Sequence, residues 1–387
     1  MPAKNRFAEL LPDLTAFRRD LHRHPELLFD TERTAGVVAE RLKAMGCDEV
    51  VTGVAQNGVV AVIKGKTDSR GRTVALRADM DALPIEEATG AAHASTVPGK
   101  MHACGHDGHT TMLLGAAQYL AETRNFDGTA VLLFQPAEEG GGGADVMVQE
   151  GVLERFGVDE VYGMHNVPGR DAGTFAIRPG AFYAAADQFE IFITGRAGHA
   201  AQPHQTVDTT VVASHAVIAL QNIVSRETDP VQQVAVSVTS FQTSTTAHNV
   251  IAEQVKLRGT VRTFDAEVRD NTERRMTEIV EGVAAAFGAT AVVNYERGYP
   301  ALVNHEAETG YAEEAARKVA GACAEAPVYL WGEDFSYLLN KRPGAYIHIG
   351  VGDTAPLHHP EYDFVDEVIP MGSSWFAEMV ETRLPVA

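Results

Sequence analysis

Apolar runs in this chain repeatedly end in acids or imidazoles. In chain order, "TVALRADMDAL" closes on Asp79 and Asp81, "AVLLFQPAEEG" on Glu138 and Glu139, and "VYGMHN" on His165. With "GVVAVIKG" and "GAYIHIGVG", these runs have the length and character of buried strands. Helical periodicity lies between and around them, at about 7–23 and 31–45 and in "GHTTMLLGAAQYLAET". Strands alternating with helices imply an α/β fold, a mostly parallel sheet covered by helices. Ligands of such sheets bind beyond the carboxyl ends of the strands. The acids and imidazoles are therefore expected on one face.

The pattern changes near Ala185. "DQFEIFITGRAG" alternates like a half-exposed strand, and a helix is expected from about Thr206 to Ser225. Two strands follow, "QVAVSVTSFQ" and "EQVKLRGTVRTF", then a helix at about 266–287 and the strand "ATAVVNYERG". Strand–helix–strand–strand–helix–strand is the order of a small α+β open-faced sandwich. After it the α/β pattern resumes with "HEAETGYAEEAARKVAG". At 387 residues the chain is long for one core. The expected division is a discontinuous domain, 1–184 and 298–387, with a second domain, 185–297, inserted into it.

Composition narrows the partners. A formal net charge of −20 argues against nucleic acid and against an anionic membrane, since both require a positive footprint. The opening "MPAKNRFAELLPDL" offers no apolar run for a signal peptide or a membrane span. Three scattered cysteines, Cys47, Cys104 and Cys323, fit no disulfide framework. The expected location is the cytoplasm.

One of those cysteines stands in "MHACGHDGH", residues 101–109, among His102, His106, Asp107 and His109. Each polar residue alone has an ordinary explanation; Asp107, for instance, suits the cap of the helix that follows. Together, thiol, imidazole and carboxylate groups from five segments, the last being "APLHHPEYDF" with His358 and His359, meet the needs of a metal site. A thiolate beside imidazoles suits zinc, cobalt, nickel or manganese better than magnesium or calcium. Gly105 and Gly108 let the loop turn tightly enough for Cys104 and His106 to face one point. A cysteine nucleophile would leave the Glu138–Glu139 pair without a purpose. A closed structural site would leave ligands to spare. The excess of ligands plus one carboxylate fits two ions and a general base.

The motifs "MHACGHDGH", "QPAEEGGGGA", "GMHNVPG", "GHAAQPH", "GTVRTF", "GEDFS" and "LHHPEYDF" resemble, in this order, the metal-dependent amidohydrolases of the aminoacylase and hippurate hydrolase type, kin of the two-metal carboxypeptidases. The resemblance covers nearly the whole chain. It implies a catalytic α/β domain and an inserted lid and dimerisation domain. It also implies two divalent ions (Zn, Mn, Co or Ni) held by Cys104, His106, Glu139, His165 and His358. By the same resemblance Glu138 is the general base and Asp81 orients a ligand. His199 stabilises the oxyanion, and Asn249 and Arg262 hold the amide and carboxylate of the substrate. The chain departs from the family pattern at Ala252, where proline is usual, at Trp331, where a small residue is usual, and at His359, a second imidazole beside His358.

The expected activity is hydrolysis of a small-molecule N-acyl amino acid to a carboxylate and an amino acid. The expected assembly is a homodimer through the lid domain, or a higher oligomer. A dipeptidase or carboxypeptidase would use the same site on a peptide bond. A metal-bearing binding protein would keep the ligands yet have no use for Glu138.

Overall fold

A computed structural model describes residues 5–386. The first residues of the "MPAKNRFAELLPDL" stretch lie outside them. Contacts divide the chain into two compact units. One runs to Gly180 and resumes over Val303–Pro327 and from Asp334 onward; the other comprises Ala181–Leu302 and Val328–Glu333.

The first unit is built on an eight-stranded sheet. Its four central strands, Thr129–Gln135, Thr73–Asp79, Glu160–Val167 and Gly344–Gly350, lie side by side in that order and run parallel. The sheet turns antiparallel toward its edges. Gly58–Lys64 pairs against Thr129–Gln135, Glu49–Val54 against Gly58–Lys64, and Phe175–Ile177 against Gly344–Gly350. Every residue of Thr73–Asp79, Glu160–Val167 and Gly344–Gly350 is buried, which is why these strands are apolar on both faces save for a few buried polar groups such as Arg77, Glu160 and His348. Helices Asn5–Arg23, His106–Thr123, Glu306–Ala320 and Ile369–Arg383 contribute Leu14, Leu113, Ala316 and Trp375 to the core around the sheet.

Two local boundaries differ from the sequence reading. The strand of "TVALRADMDAL" stops at Asp79; beyond it Met80 N still donates to Gln135 O, and Ala82 makes only an isolated bridge to Leu27. The helix after "MHACG" begins at His106, not beyond it, so His106 and Asp107 stand in its first turn. Gly105 precedes them at φ +89°, and a Cβ there would lie 2.4 Å from Asn166 Oδ1. Only glycine accepts that backbone and that approach.

The second unit is the open-faced sandwich. Its strands Val234–Thr243, Gln254–Thr263, Ala185–Thr194 and Thr290–Glu296 pair antiparallel in that order. Burial alternates along Ala185–Thr194. Ile191, Ile193, Val255 and Leu257 of the strands share a core with Val212, Ala216 and Leu220 of helix Thr209–Asn222 and with Met276 and Val280 of helix Ala266–Ala286.

Candidate metal centre

The carboxyl ends of the parallel strands assemble the site in the first unit. Asp81 lies just past the Thr73–Asp79 strand, Glu138 and Glu139 just past Thr129–Gln135, and His165 within Glu160–Val167. Cys104 and His106 flank Gly105 at the mouth of the helix. His358 arrives from the C-terminal segment with φ +62° and its backbone N donating to Ala103 O at 2.8 Å.

These donors form three overlapping triads whose ligand atoms lie within 4.8 Å of one another: Cys104, His106 and His165; Cys104, Glu139 and His358; and His106, Glu138 and Glu139. Cys104 Sγ is 3.5 Å from His165 Nε2. Glu139 Oε1 is 3.9 Å from His106 Nε2 and 3.3 Å from His358 Nε2. Of the adjacent histidines, His358 therefore faces the cluster. His359 is exposed and accepts Glu361 N on its own Nδ1.

Backbone carbonyls fix two of the imidazoles. His106 Nδ1 donates to Asp81 O at 2.8 Å, and His165 Nδ1 donates to Asn166 O at 2.7 Å. A carbonyl only accepts, so in each ring Nδ1 carries a proton and Nε2 is the nitrogen that faces the cluster. The Asp81 carboxylate accepts the backbone amides of both Glu138 (3.0 Å) and Glu139 (3.1 Å). Asp81 thus aims the paired glutamates as well as flanking His106, which is 3.5 Å away.

Titratable groups are concentrated here. Burial and the carboxylates of Glu139, Glu138 and Asp79 push the Cys104 thiol well above its ordinary pKa. Burial opposes the charged form of His106, yet Asp79, Asp81 and Glu139 outweigh it and raise the ring to about 10. Burial raises Asp81 and drives His165 well below its usual range. His106 Nε2 is buried and makes no hydrogen bond among the described residues. A buried imidazole nitrogen without a hydrogen bond, a thiol and several acids in one pocket fit a divalent cation, whose charge would displace the imidazole proton, reverse the pressure on Cys104 and hold it as thiolate.

A profile described as "Peptidase family M20/M25/M40" matches residues 75–382. The chain belongs to this family. It is 41% identical over 372 residues to an N-acetyl-L-cysteine deacetylase of Bacillus subtilis, covering 96% of this chain and 88% of that protein. It is 37% identical over 376 residues to a hippurate hydrolase of Campylobacter jejuni, covering 96% of each. Among solved structures it resembles a dinuclear metal binding peptidase of the M20 family from Bacillus subtilis. There the TM-score is 0.86 at 35% identity, over 98% of this chain and 100% of that one.

The residues anticipated from the inserted segment all lie in the second unit. His199 and Asn249 are neighbours there: Ala200 N donates to Asn249 O at 3.0 Å, and His199 pairs with Val250 in a short ladder. Arg262 stands apart, its Nε donating to Leu330 O at 3.1 Å and its Nη1 to Val261 O at 2.9 Å. Of the departures, Ala252 is buried and its carbonyl accepts Thr209 Oγ1. Trp331 stacks on Tyr329, centroids 4.4 Å apart.

Sequence reasoning missed a buried network behind the metal loop. Asp107 is not a helix cap: its Oδ2 meets His22 Nδ1 at 2.8 Å and Arg18 Nη1 at 3.3 Å. Arg18 also donates to Asp363 and Asp366. Arg18 and His22 lie on an amphipathic helix upstream of the matched stretch, and the one available signal was a charged residue falling on its apolar stripe.

Proposed function

We propose that the protein is a two-metal amidohydrolase that cleaves N-acyl amino acids to a carboxylate and a free amino acid. The observation that carries this reading is the trio of overlapping triads, in which Glu138 joins His106 and Glu139, and those two join Cys104, His165 and His358 in the others. The family and the deacylating names of the relatives support it.

Cys104, His106, Glu139, His165 and His358 would hold the ions. Thiolate and imidazole favour zinc, manganese, cobalt or nickel. When bound, such ions supply Lewis acidity and make hydroxide available near neutral pH. Glu138, aimed by its backbone bond to Asp81, takes the proton of the attacking water and returns it to the leaving nitrogen. His199 donates to the oxyanion as the acyl carbon becomes tetrahedral. Asn249 holds the substrate amide, and Arg262 its carboxylate. In an acidic protein a cationic clamp also offsets repulsion of an anionic substrate.

The unit containing His199 serves as lid and dimerisation domain. Among the described residues its Val234–Thr243 strand is paired on one edge only, and Phe241 on it is exposed, which suits edge-to-edge pairing with a second copy. The thiols of Cys47, Cys104 and Cys323 are free, which suits the cytoplasm. No helix among the described residues is long and apolar enough to cross a membrane.

A hydrolysis screen tests the reading. N-acetyl, N-benzoyl and N-indoleacyl amino acids are offered beside simple dipeptides to protein loaded with each of the four metals. Cleavage of at least one N-acyl class, abolished by chelation, is expected. Faster turnover of the dipeptides would replace this function with a dipeptidase, and no turnover at all would leave a binding protein.

A further inference from the structure

The side chain of Asn166 joins three segments that carry candidate ligands. It follows His165 directly in the strand. Its Nδ2 donates to Tyr362 Oη at 2.6 Å, in the segment that delivers His358. Its carboxamide occupies the space a Cβ on Gly105 would need, between Cys104 and His106.

Its fourth neighbour is His109, one helical turn beyond His106. His109 Nε2 lies 2.6 Å from Asn166 Oδ1 and 3.1 Å from the backbone N of the same residue. On the other side of the ring, Nδ1 donates to Asp79 Oδ1 at 2.6 Å, and Asp79 Oδ2 accepts Arg77 Nη1 at 2.6 Å. The His109 ring stacks on His106 with centroids 5.4 Å apart and meets His165 edge-on at 4.7 Å. All of Asp79, His109, Asn166 and Tyr362 are buried.

We infer that His109 and Asn166 are positioning residues for the metal centre, reached through no ligand bond of their own. This inference rests on the two-metal reading above. His109 is fixed at both nitrogens, so its ring is a rigid wall against which the His106 and His165 rings are oriented. Asn166 meets His109 at one end of its carboxamide and Tyr362 at the other, so it ties the Cys104–His106 turn to the Tyr362 segment while its own backbone carbonyl holds His165 Nδ1. Loss of such outer partners typically costs about 10–100-fold in metal affinity. A leucine or methionine could fill the same volume and would supply none of these bonds.

The test uses the full chain, stripped of metal and titrated with Co²⁺ against a competing chelator, with the thermal midpoint of the metal-free protein measured in parallel. Wild type is expected to bind two ions. His109→Gln is expected to weaken at least one of them by about 10–100-fold and to alter the cobalt ligand-field spectrum, while the metal-free midpoint stays near that of wild type. Tyr362→Phe, which removes only the hydroxyl that receives Asn166, is expected to move the same chelator midpoint by a smaller factor, and it decides the matter if His109→Gln does not fold. Unchanged affinity and spectrum in the variant that folds would overturn the inference. So would a loss seen only where the metal-free variant is itself unfolded at the assay temperature. A wild type that binds no ion overturns the two-metal reading as well, whereas two ions in wild type beside an unaffected variant overturns this inference alone.

Discussion

Arg18 and Asp107 meet as a fully buried ion pair, Nη1 to Oδ2 at 3.3 Å, across 89 residues of sequence. Asp107 adjoins His106 in the first turn of its helix, and Arg18 also grips Asp366 at 2.7 Å and Asp363 at 3.0 Å. One guanidinium therefore ties the first helix to the metal loop and to the C-terminal segment. Removing it leaves buried Asp107 to His22 and buried Asp366 to Arg19, and taking one partner from a buried charge pair is the costly way to break it. Arg18→Met is expected to lower the unfolding free energy of the metal-free protein by about 3–5 kcal/mol, measured by urea denaturation. A loss under about 1 kcal/mol would show that water or relaxation replaces the guanidinium.

His22 makes stability depend on pH. Burial works against its charged form, but hydrogen bonds to Asp107 and Glu87 outweigh this and raise it to about 9. Its folded pKa stands above the ordinary value of about 6.5. The stability it contributes is complete below that ordinary value and is lost as pH rises through about 9. Thermal midpoints of the metal-free protein are expected to fall over this window, and to fall less steeply in His22→Gln. Identical slopes in both proteins would assign the change to other groups.

Cys104 is expected to bind metal directly. Cobalt-loaded protein should show a thiolate-to-metal charge-transfer band that Cys104→Ser abolishes. Full activity and unchanged metal content in Cys104→Ser would remove the thiol from the ligand set.

Glu138 and Glu139 share a loop and two bonds to Asp81, yet opposite phenotypes are expected. Glu138→Gln should keep its metals and lose at least about 10²-fold in turnover, the lower range for general base catalysis. Glu139→Gln should lose metal affinity, since its carboxylate lies 3.3 Å from His358 Nε2. Metal analysis showing the reverse would exchange the two roles.

His199 is expected to act on the active site of the second subunit in a dimer. Co-expressed His199→Ala and Glu138→Ala chains should then form mixed dimers with one restored site, because the chain with intact Glu138 receives an intact His199. Mixed dimers as inactive as either parent would confine the histidine to its own chain.

The strand–helix order was legible because apolar periodicity is a local property of consecutive residues. The burial of Thr73–Asp79 and Glu160–Val167 on both faces is written in the apolar Val74–Leu76 and Val161–Met164 within them, and the alternation of Ala185–Thr194 in its one exposed face. The antiparallel edges of the large sheet were not legible. Phe175–Ile177 has three residues, too few to carry a period, and finds its direction only by pairing with Gly344–Gly350. The start of the His106 helix was also missed, because Gly105, which makes the turn, is disfavoured inside helices and reads as a loop residue.

The sequence by itself determined the donor inventory, thiol, imidazoles and paired carboxylates at the ends of buried strands, because the number and kind of ligand groups are fixed covalently. Only the tertiary structure decided which of them meet and which stand behind. Cys104 and His165 are 61 residues apart and His358 lies in another segment, yet the sheet brings all three to one pocket. His109 and Asp107, as polar as any ligand in the same motif, are instead held by Asp79 and by Arg18 and His22. Charges and hydrogen-bond partners act over a few ångströms in space, and sequence separation does not encode that distance.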